Sequence, residues 1–312
     1  CNNNVVATPT PTQTPIGQQD PTPTPTETLT SLCPSDVFSP QDKTELKTAV
    51  NEWIANESTA TTKYGDINTW CTSNITDMSH LFVDIYDTNP SNTFNSNISN
   101  WDTSNVTNMR SMFYGTLFNQ PIGNWNVSKV TNMTEMFKLT PFNQPIGNWD
   151  TSDLLYASNM FQNATSFNQP IGEWNTSNVM NMSMMFRSAS AFNQPIGNWD
   201  TSNVQVMGSM FNGASAFNQP IGDWNVSSVT TMDGMFRKTI EFNQPIGDWD
   251  VSKVTGMCCM FENAAKFNQY IGEWDVSSFI NMYNMFENAK EYNQPIGEWD
   301  EWDENTYYNL FD

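Results

Sequence analysis

Phe192-Asn193-Gln194-Pro195-Ile196-Gly197-Asn198-Trp199-Asp200-Thr201-Ser202-Asn203-Val204 is one statement of a phrase that this chain repeats. Its tryptophan recurs as Trp101, Trp125, Trp149, Trp174, Trp199, Trp224, Trp249, Trp274 and Trp299, at spacings of 24, 24 and then 25 six times. A fixed period of roughly 20–50 residues marks stacked repeats, each unable to bury its apolar face alone. Such an array offers a long surface in place of one deep pocket, which favours binding or structural roles over catalysis.

Two spacings inside a copy set the expected fold. Val106, Met109, Met112 and Phe113 fall at offsets 0, 3, 6 and 7, the spacing of one face of a short helix, with Ser104 or Asn105 able to cap it. Phe118 to Trp125 reads as a short extended segment broken by Gly123, with Pro121 where no ladder amide is needed. The expected fold class is therefore an α/β repeat solenoid of leucine-rich-repeat type, with one short strand and one short helix per copy. Ten copies stacked at about 4.8 Å per strand would make a rod of roughly 45–50 Å.

Three regions divide the chain. Residues 1–32, with Thr8-Pro9-Thr10-Pro11 and Pro21-Thr22-Pro23-Thr24-Pro25-Thr26, lack the apolar residues for a core. They read as a disordered stalk of polyproline II character. Residues 33–63 read as an N-terminal cap: a helix over about 39–57, with Ser39 as N-cap and Pro40 in its first turn. Its stripe is Leu46, Val50, Trp53 and Ile54. Residues 64–312 hold about ten copies, the last incomplete, with an insertion from Val83 to Asn95 as a second candidate contact loop.

Charge limits the partners. Charged residues make up 14%, against roughly 25% in typical soluble domains. Thirty-three acidic against 12 basic residues give a formal net of −21. Such a field repels nucleic acid and anionic membranes. It suits cations, basic partners or neutral polymers, so the expected partner is an extracellular protein or glycan, with self-assembly as the alternative.

The five cysteines are Cys1, Cys33, Cys71, Cys258 and Cys259, and the one histidine is His80; none has zinc spacing. Cys33 and Cys71 flank the cap, where a disulfide would imply an oxidising compartment. Cys258 and Cys259 read as free thiols, since bridging neighbours strains the ring. Cys1 is a candidate lipidation site, as at the start of a processed bacterial lipoprotein, or simply the start of a fragment. A lipid there would be the only membrane attachment expected. Ten Asn-x-Ser/Thr sequons, among them Asn56, Asn74, Asn105, Asn132 and Asn181, allow glycosylation in a eukaryotic secretory pathway.

Repeats turn single residues into columns, and three could carry function. The Trp column either stacks on sugars or forms core, with each indole N–H bonded to a loop carbonyl. The amide column comprises Asn143-Gln144, Asn168-Gln169, Asn193-Gln194, Asn218-Gln219 and Asn243-Gln244. It is either a ladder of stacked amides or an exposed binding stripe. The acidic columns flank Trp: Glu173, Asp223, Asp248, Glu273 and Glu298 before it, and Asp102, Asp150, Asp200, Asp250, Asp275 and Asp300 after it. They are a solvated face or, with oxygen ligands, a calcium site, and crowding of like charge should raise some of their pKa values. No other cofactor is expected. Glycoside hydrolysis needs one distinct carboxylate pair in a cleft, whereas every carboxylate here belongs to a series. No residue is assigned a catalytic role.

The phrase Asn-Trp-Asp-x-Ser-x-Val-Thr-x-Met-x-x-Met-Phe-x-x-Ala-x-x-Phe-Asn-Gln-Pro-Ile-Gly resembles the repeat of surface proteins in the BspA-like branch of leucine-rich-repeat proteins. Trp224, Val229, Met232, Met235, Phe236, Phe242, Asn243, Gln244, Pro245, Ile246 and Gly247 carry the match in one copy, and the resemblance covers about 64 to 312. It implies a cell-surface or secreted protein, often a lipoprotein, acting in adhesion or surface interaction. It implies no catalytic residues.

Overall fold

The computed structural model describes residues 33–83, 93–278, 281–297, 299 and 310–311. The 1–32 stalk with Cys1, most of the Val83–Asn95 insertion, Glu298 and Asp300 lie outside the described residues. Contacts divide the chain at Leu32/Cys33 into two units, and the unit from Cys33 onward holds the cap and the copies.

The cap begins with α1 (Lys43–Ala55), followed by α2 (Glu57–Tyr64) and a 3₁₀ turn at Ile67–Thr69. Asp42, not Ser39, is the N-cap of α1: its carboxylate accepts the Glu45 amide. Asn56 closes α1 with its own amide and opens α2 by accepting the Thr59 amide, so one residue turns the chain between two helices. Leu46, Ala49, Val50 and Trp53 are buried, whereas Ile54, expected in the stripe, is exposed. Cys33 and Cys71 are joined in a disulfide that ties the start of the cap to the first copy.

The expected strand and helix in each copy are not what forms. Among the described residues there is no strand, and from the first copy to residue 297 no α-helix. Neighbouring copies share single parallel bridges, from Asp77–Asn108 through Asn132–Tyr156 to Gly256–Asn281. The segment read as a helix is a run of tight turns. The amides of Met112, Tyr114 and Thr116 donate to the carbonyls three residues back, on Met109, Ser111 and Phe113. The amides of Met109, Ser111, Phe113 and Gly115 instead donate to Asn132, Thr134, Met136 and Lys138 of the next copy, at 2.8–3.0 Å. Alternate amides thus serve the turn and the neighbour.

Left-handed residues enforce this. Ser111 (φ 52°) and Gly115 (φ 68°) are followed by Glu135 and Leu139, Asn159 and Asn163, then Met184 and Ser188, always four apart. A helix requires every φ to be negative, so one left-handed residue per turn forbids it. The apolar offset of three misled because it is common to helices and to consecutive three-residue turn closures.

The core runs unbroken along the stack. Phe113 and Phe118 stack face to face within a copy at 3.8 Å, and the same pairing recurs at Phe161–Phe167 and Phe211–Phe217. Between copies, Phe113–Phe137 centroids lie 5.7 Å apart, Phe118–Phe142 6.1 Å and Trp249–Trp274 6.4 Å.

A lysine finishes the exposed edge. Every copy offers carbonyls to amides of the copy before it, which the first copy lacks. Lys47 on α1 supplies the donors: its ammonium reaches the carbonyls of Leu81 and Val83 at 2.8 Å and of His80 at 3.1 Å. Leu81 is the counterpart of Met112, whose carbonyl accepts the Phe82 amide. Lys43 adds bonds to Asp77 and Ser79. Among the described residues no helix is long and apolar enough to cross a membrane.

Candidate interaction face

The tryptophans are core. Trp101 to Trp299 are 3–4% exposed. From Trp101 to Trp274 each indole N–H reaches a carbonyl of the preceding copy, as in Trp199 to Ile171 (3.1 Å) and Trp224 to Ile196 (3.1 Å), whereas that of Trp299 is buried without a partner. This holds the rings parallel, 3° apart for Trp199 and Trp224. Nothing is left of them for a sugar to stack on.

The amide column is a ladder, with a second side turned outward. The Asn143 side-chain oxygen accepts both the Asn168 amide and the Gln169 side-chain NH₂ at 3.0 Å. The pattern repeats from Asn168 to Asn193 and Gln194, from Asn193 to Asn218 and Gln219, and from Asn218 to Asn243 and Gln244. Asn119 does the same for Asn143 and Gln144. These residues are half-buried. The ladder bonds use the asparagine Oδ1 and glutamine Nε2 atoms and leave the asparagine Nδ2 and glutamine Oε1 out of the ladder.

The acidic columns separate by role. The aspartate after Trp closes a turn: Asp200 accepts the amide and hydroxyl of Ser202 at 3.0 and 2.6 Å, and Asp250 those of Ser252. Asp150 and Asp275 accept the amides of Ser152 and Ser277. The Ser hydroxyl and amide hold the carboxyls of Asp150, Asp200, Asp250 and Asp275 below their ordinary value. At these four the expected rise does not occur because the serine bonds outweigh like charge, and Asn175 and Asn225 separate Asp150, Asp200 and Asp250 in the column. Asp275 opposes the lowering only at Asp250, its immediate neighbour in the column. The acids before Trp, Glu173, Asp223, Asp248 and Glu273, are exposed and free of that duty. Among the described residues no three His, Cys, Asp or Glu side chains converge on a point that could hold a metal ion.

Cys258 and Cys259 are free thiols with sulfurs 3.0 Å apart. Cys259 occupies a left-handed position, and burial, with Cys258 beside it, pushes its thiol up to about 12.

One feature of the face escaped the sequence reading. Beside the amide ladder runs an exposed row of Pro121, Pro145, Pro170, Pro195, Pro220 and Pro245. Between this row and the acids before Trp lies a glycine floor. A Cβ on Gly147, Gly172, Gly197 or Gly222 would stand 2.5–2.7 Å from the proline carbonyl oxygen of the next copy. Only glycine fits, which leaves a shallow, largely apolar groove of about 400 Å³. Gly147, Asn148, Pro170, Gly172, Glu173 and Pro195 are among its lining residues. The invariance of Pro-Ile-Gly through these copies was the available signal.

The sequence matches, three times over, the family described as "Mycoplasma protein of unknown function, DUF285", at residues 48–157, 138–238 and 219–312. The chain belongs to this family. The three DUF285 matches overlap and together run from α1 to the last residue, as expected of tandem copies in a repeat protein. Comparison with curated proteins gives no match, and comparison with solved structures gives none. The first DUF285 match starts within α1 and takes in part of the cap, whereas the other two cover copies alone.

Proposed function

We propose that this chain is a cell-surface or secreted interaction and adhesion module that binds an extracellular protein or glycan, not an enzyme. Its contact surface is the face built from the Asn-Gln ladder, the proline row, the glycine floor and the acids before Trp. The observation that carries this reading is the repetition of outward-facing groups. Asn168 and Asn193, Gln169 and Gln194, and Pro170 and Pro195 each recur one copy apart, bonded or packed in register. Weak contacts repeated at fixed spacing sum through multivalency. The BspA-like resemblance supports the same reading. Under it residues 1–32 act as the stalk.

Immobilised protein and glycan arrays, read alongside light scattering with and without calcium, test the proposal. A defined ligand retained by a monomer supports it. Growth of scattering with concentration, and no ligand, would replace it with a subunit of an extracellular fibre or coat.

A further inference from the structure

One copy breaks the proline row. Tyr270 stands where the copies on either side of it carry Pro245 and Pro295, and its ring lies across the floor of its own copy. A Cβ on Gly272 would stand 2.7–2.8 Å from ring atoms Cε2 and Cζ and from the hydroxyl. The hydroxyl donates to Glu273, the acid before Trp, at 2.8 Å. Gly272 is buried as a result, whereas Gly172, Gly222 and Gly247 are half-exposed. The fold thus holds one occupied groove position, filled by a phenol whose face lies on a glycine and whose hydroxyl meets a carboxylate.

The same parts stand empty of any such side chain elsewhere on the face. Gly172 with Glu173, Gly222 with Asp223, and Gly247 with Asp248 repeat the floor and the acceptor. Glycine and proline present C–H groups, which suit the electron-rich face of an aromatic ring. Trp174, Trp224 and Trp249, each next to one of these acids, lie 6.2–6.4 Å ring to ring from a neighbour in their column, close to the about 6.4–6.8 Å at which an extended peptide brings every second side chain to one face. Charge selects among such peptides. The lining of the groove contains Glu173 and no lysine or arginine, on a chain of net charge −21.

We infer that the proline–glycine groove docks an extended, basic polypeptide segment carrying tyrosine at alternate positions. Each phenol lies on a glycine of the floor as Tyr270 does, and its hydroxyl donates to Glu173, Asp223 or Asp248. Tyr270 marks the end of the free groove. This rests on the proposed contact face and gives it a ligand class.

The probe is an end-capped octapeptide alternating tyrosine and lysine, titrated against the full chain by fluorescence anisotropy. Pro195→Tyr with Pro220→Tyr installs two further lids, on a fold that already accepts Tyr270 in that row. Circular dichroism confirms that the variant is folded. The expected result is at least tenfold weaker binding to this variant, several-fold weaker binding of a phenylalanine–lysine peptide, and loss of binding for a tyrosine–glutamate peptide. Equal binding of a serine–lysine peptide, or an unchanged affinity in the double variant, overturns the inference. If the octapeptide fails while array binding is lost in the double variant, the ligand class is wrong and the contact face stands. If array binding is unchanged by the two lids, the groove is not the contact surface and the inference falls with that part of the proposed function.

Discussion

Gly197→Ala tests the stacking directly. The new methyl carbon would stand 2.7 Å from the Pro220 carbonyl oxygen, against an ordinary contact of 3.4 Å or more. Either backbone must retreat by about 0.7 Å, on the order of the displacement that ends a hydrogen bond. Two bonds cross the same junction: the Asn218 amide to the Asn193 side-chain oxygen at 3.0 Å, and the Trp224 indole to the Ile196 carbonyl at 3.1 Å. Lengthened by that amount, both pass beyond 3.5 Å, and each is worth about 1 kcal/mol net. Alanine recovers about 0.4–1 kcal/mol by restricting the unfolded chain. The expected loss is therefore about 1–2 kcal/mol. Gly208→Ala is the control, since its Cβ would meet only the Asp233 carbonyl at 3.7 Å, an ordinary contact. It should be neutral or stabilising by up to about 1 kcal/mol. Equilibrium urea unfolding followed by fluorescence of the buried tryptophans reads both. A Gly197→Ala midpoint equal to that of the parent, or an equal loss in Gly208→Ala, would refute the reasoning.

Four further outcomes follow from the same geometry. Lys47→Met removes the ammonium from the Leu81 and Val83 carbonyls; it should cost about 2 kcal/mol and speed proteolysis of the first copy. Leu139→Asn replaces an exposed leucine at φ 60° with a residue at ease there, and should stabilise by up to about 1 kcal/mol in urea unfolding. At Asp200 the folded carboxyl titrates below its unfolded value, so its contribution is complete above about pH 4 and is lost as pH falls through the lower, folded value. Asp200→Asn, which copies the Asn175 and Asn225 turns, should unfold like the parent at pH 7 and lack this acid-side loss; Asp200→Ala should cost about 0.5–1.5 kcal/mol at pH 7. Reducing Cys33–Cys71, which closes a separation of 38 residues, should cost about 4 kcal/mol by chain entropy, seen as a lower urea midpoint in a thiol reductant.

What the sequence made legible was whatever period alone determines. The tryptophan ruler implied stacked copies, and a column buried in every copy can only be core, as Trp199 and Trp224 are. The Asn-Gln phrase implied an amide ladder because each copy needs a partner for its outermost amide, and Asn193 supplies it for Asn218. Cys33 and Cys71 flank a short cap, and the bridge forms there. Conformation within the copy was not legible in the same way. Offsets of three among Val106, Met109 and Met112 serve a helix and a run of turns equally well. The discriminating signal was faint: two positions four apart hold Asn159 and Asn163, Ser209 and Gly213, Asn284 and Asn288, all tolerant of positive φ. It was masked by Glu135, Leu139, Met184 and Lys238 in the same places, which the neighbouring copy holds there through hydrogen bonds that a single-chain propensity does not count. The carboxylate pKa directions failed for a related reason. Charge was read down a column, whereas the column alternates Asp150, Asn175, Asp200, Asn225 and Asp250, and each acid answers first to the serine two residues on.

The groove shows where departures from a repeat become more informative than the repeat itself. Pro-Ile-Gly repeated from Pro121 to Gly247 implies only that something must fit closely, and the structure shows that from Gly123 to Gly222 it is the next copy's proline carbonyl. A groove floored by glycine is then a by-product of stacking, with no ligand implied. Tyr270 changes that inference. From an exposed row, its ring lies on Gly272 with its hydroxyl on Glu273. The inferred docking mode requires that the floor and the acid both hold the phenol there. Reversing the change tests this requirement: Tyr270→Pro should expose Gly272, leave stability within about 0.5 kcal/mol of the parent as a surface change, and lengthen the free groove by one copy. A tyrosine–lysine decapeptide should then bind the variant several-fold more tightly than it binds the parent. Unchanged affinity would mean that the ring is held by Glu273 alone and that the glycine floor contributes nothing.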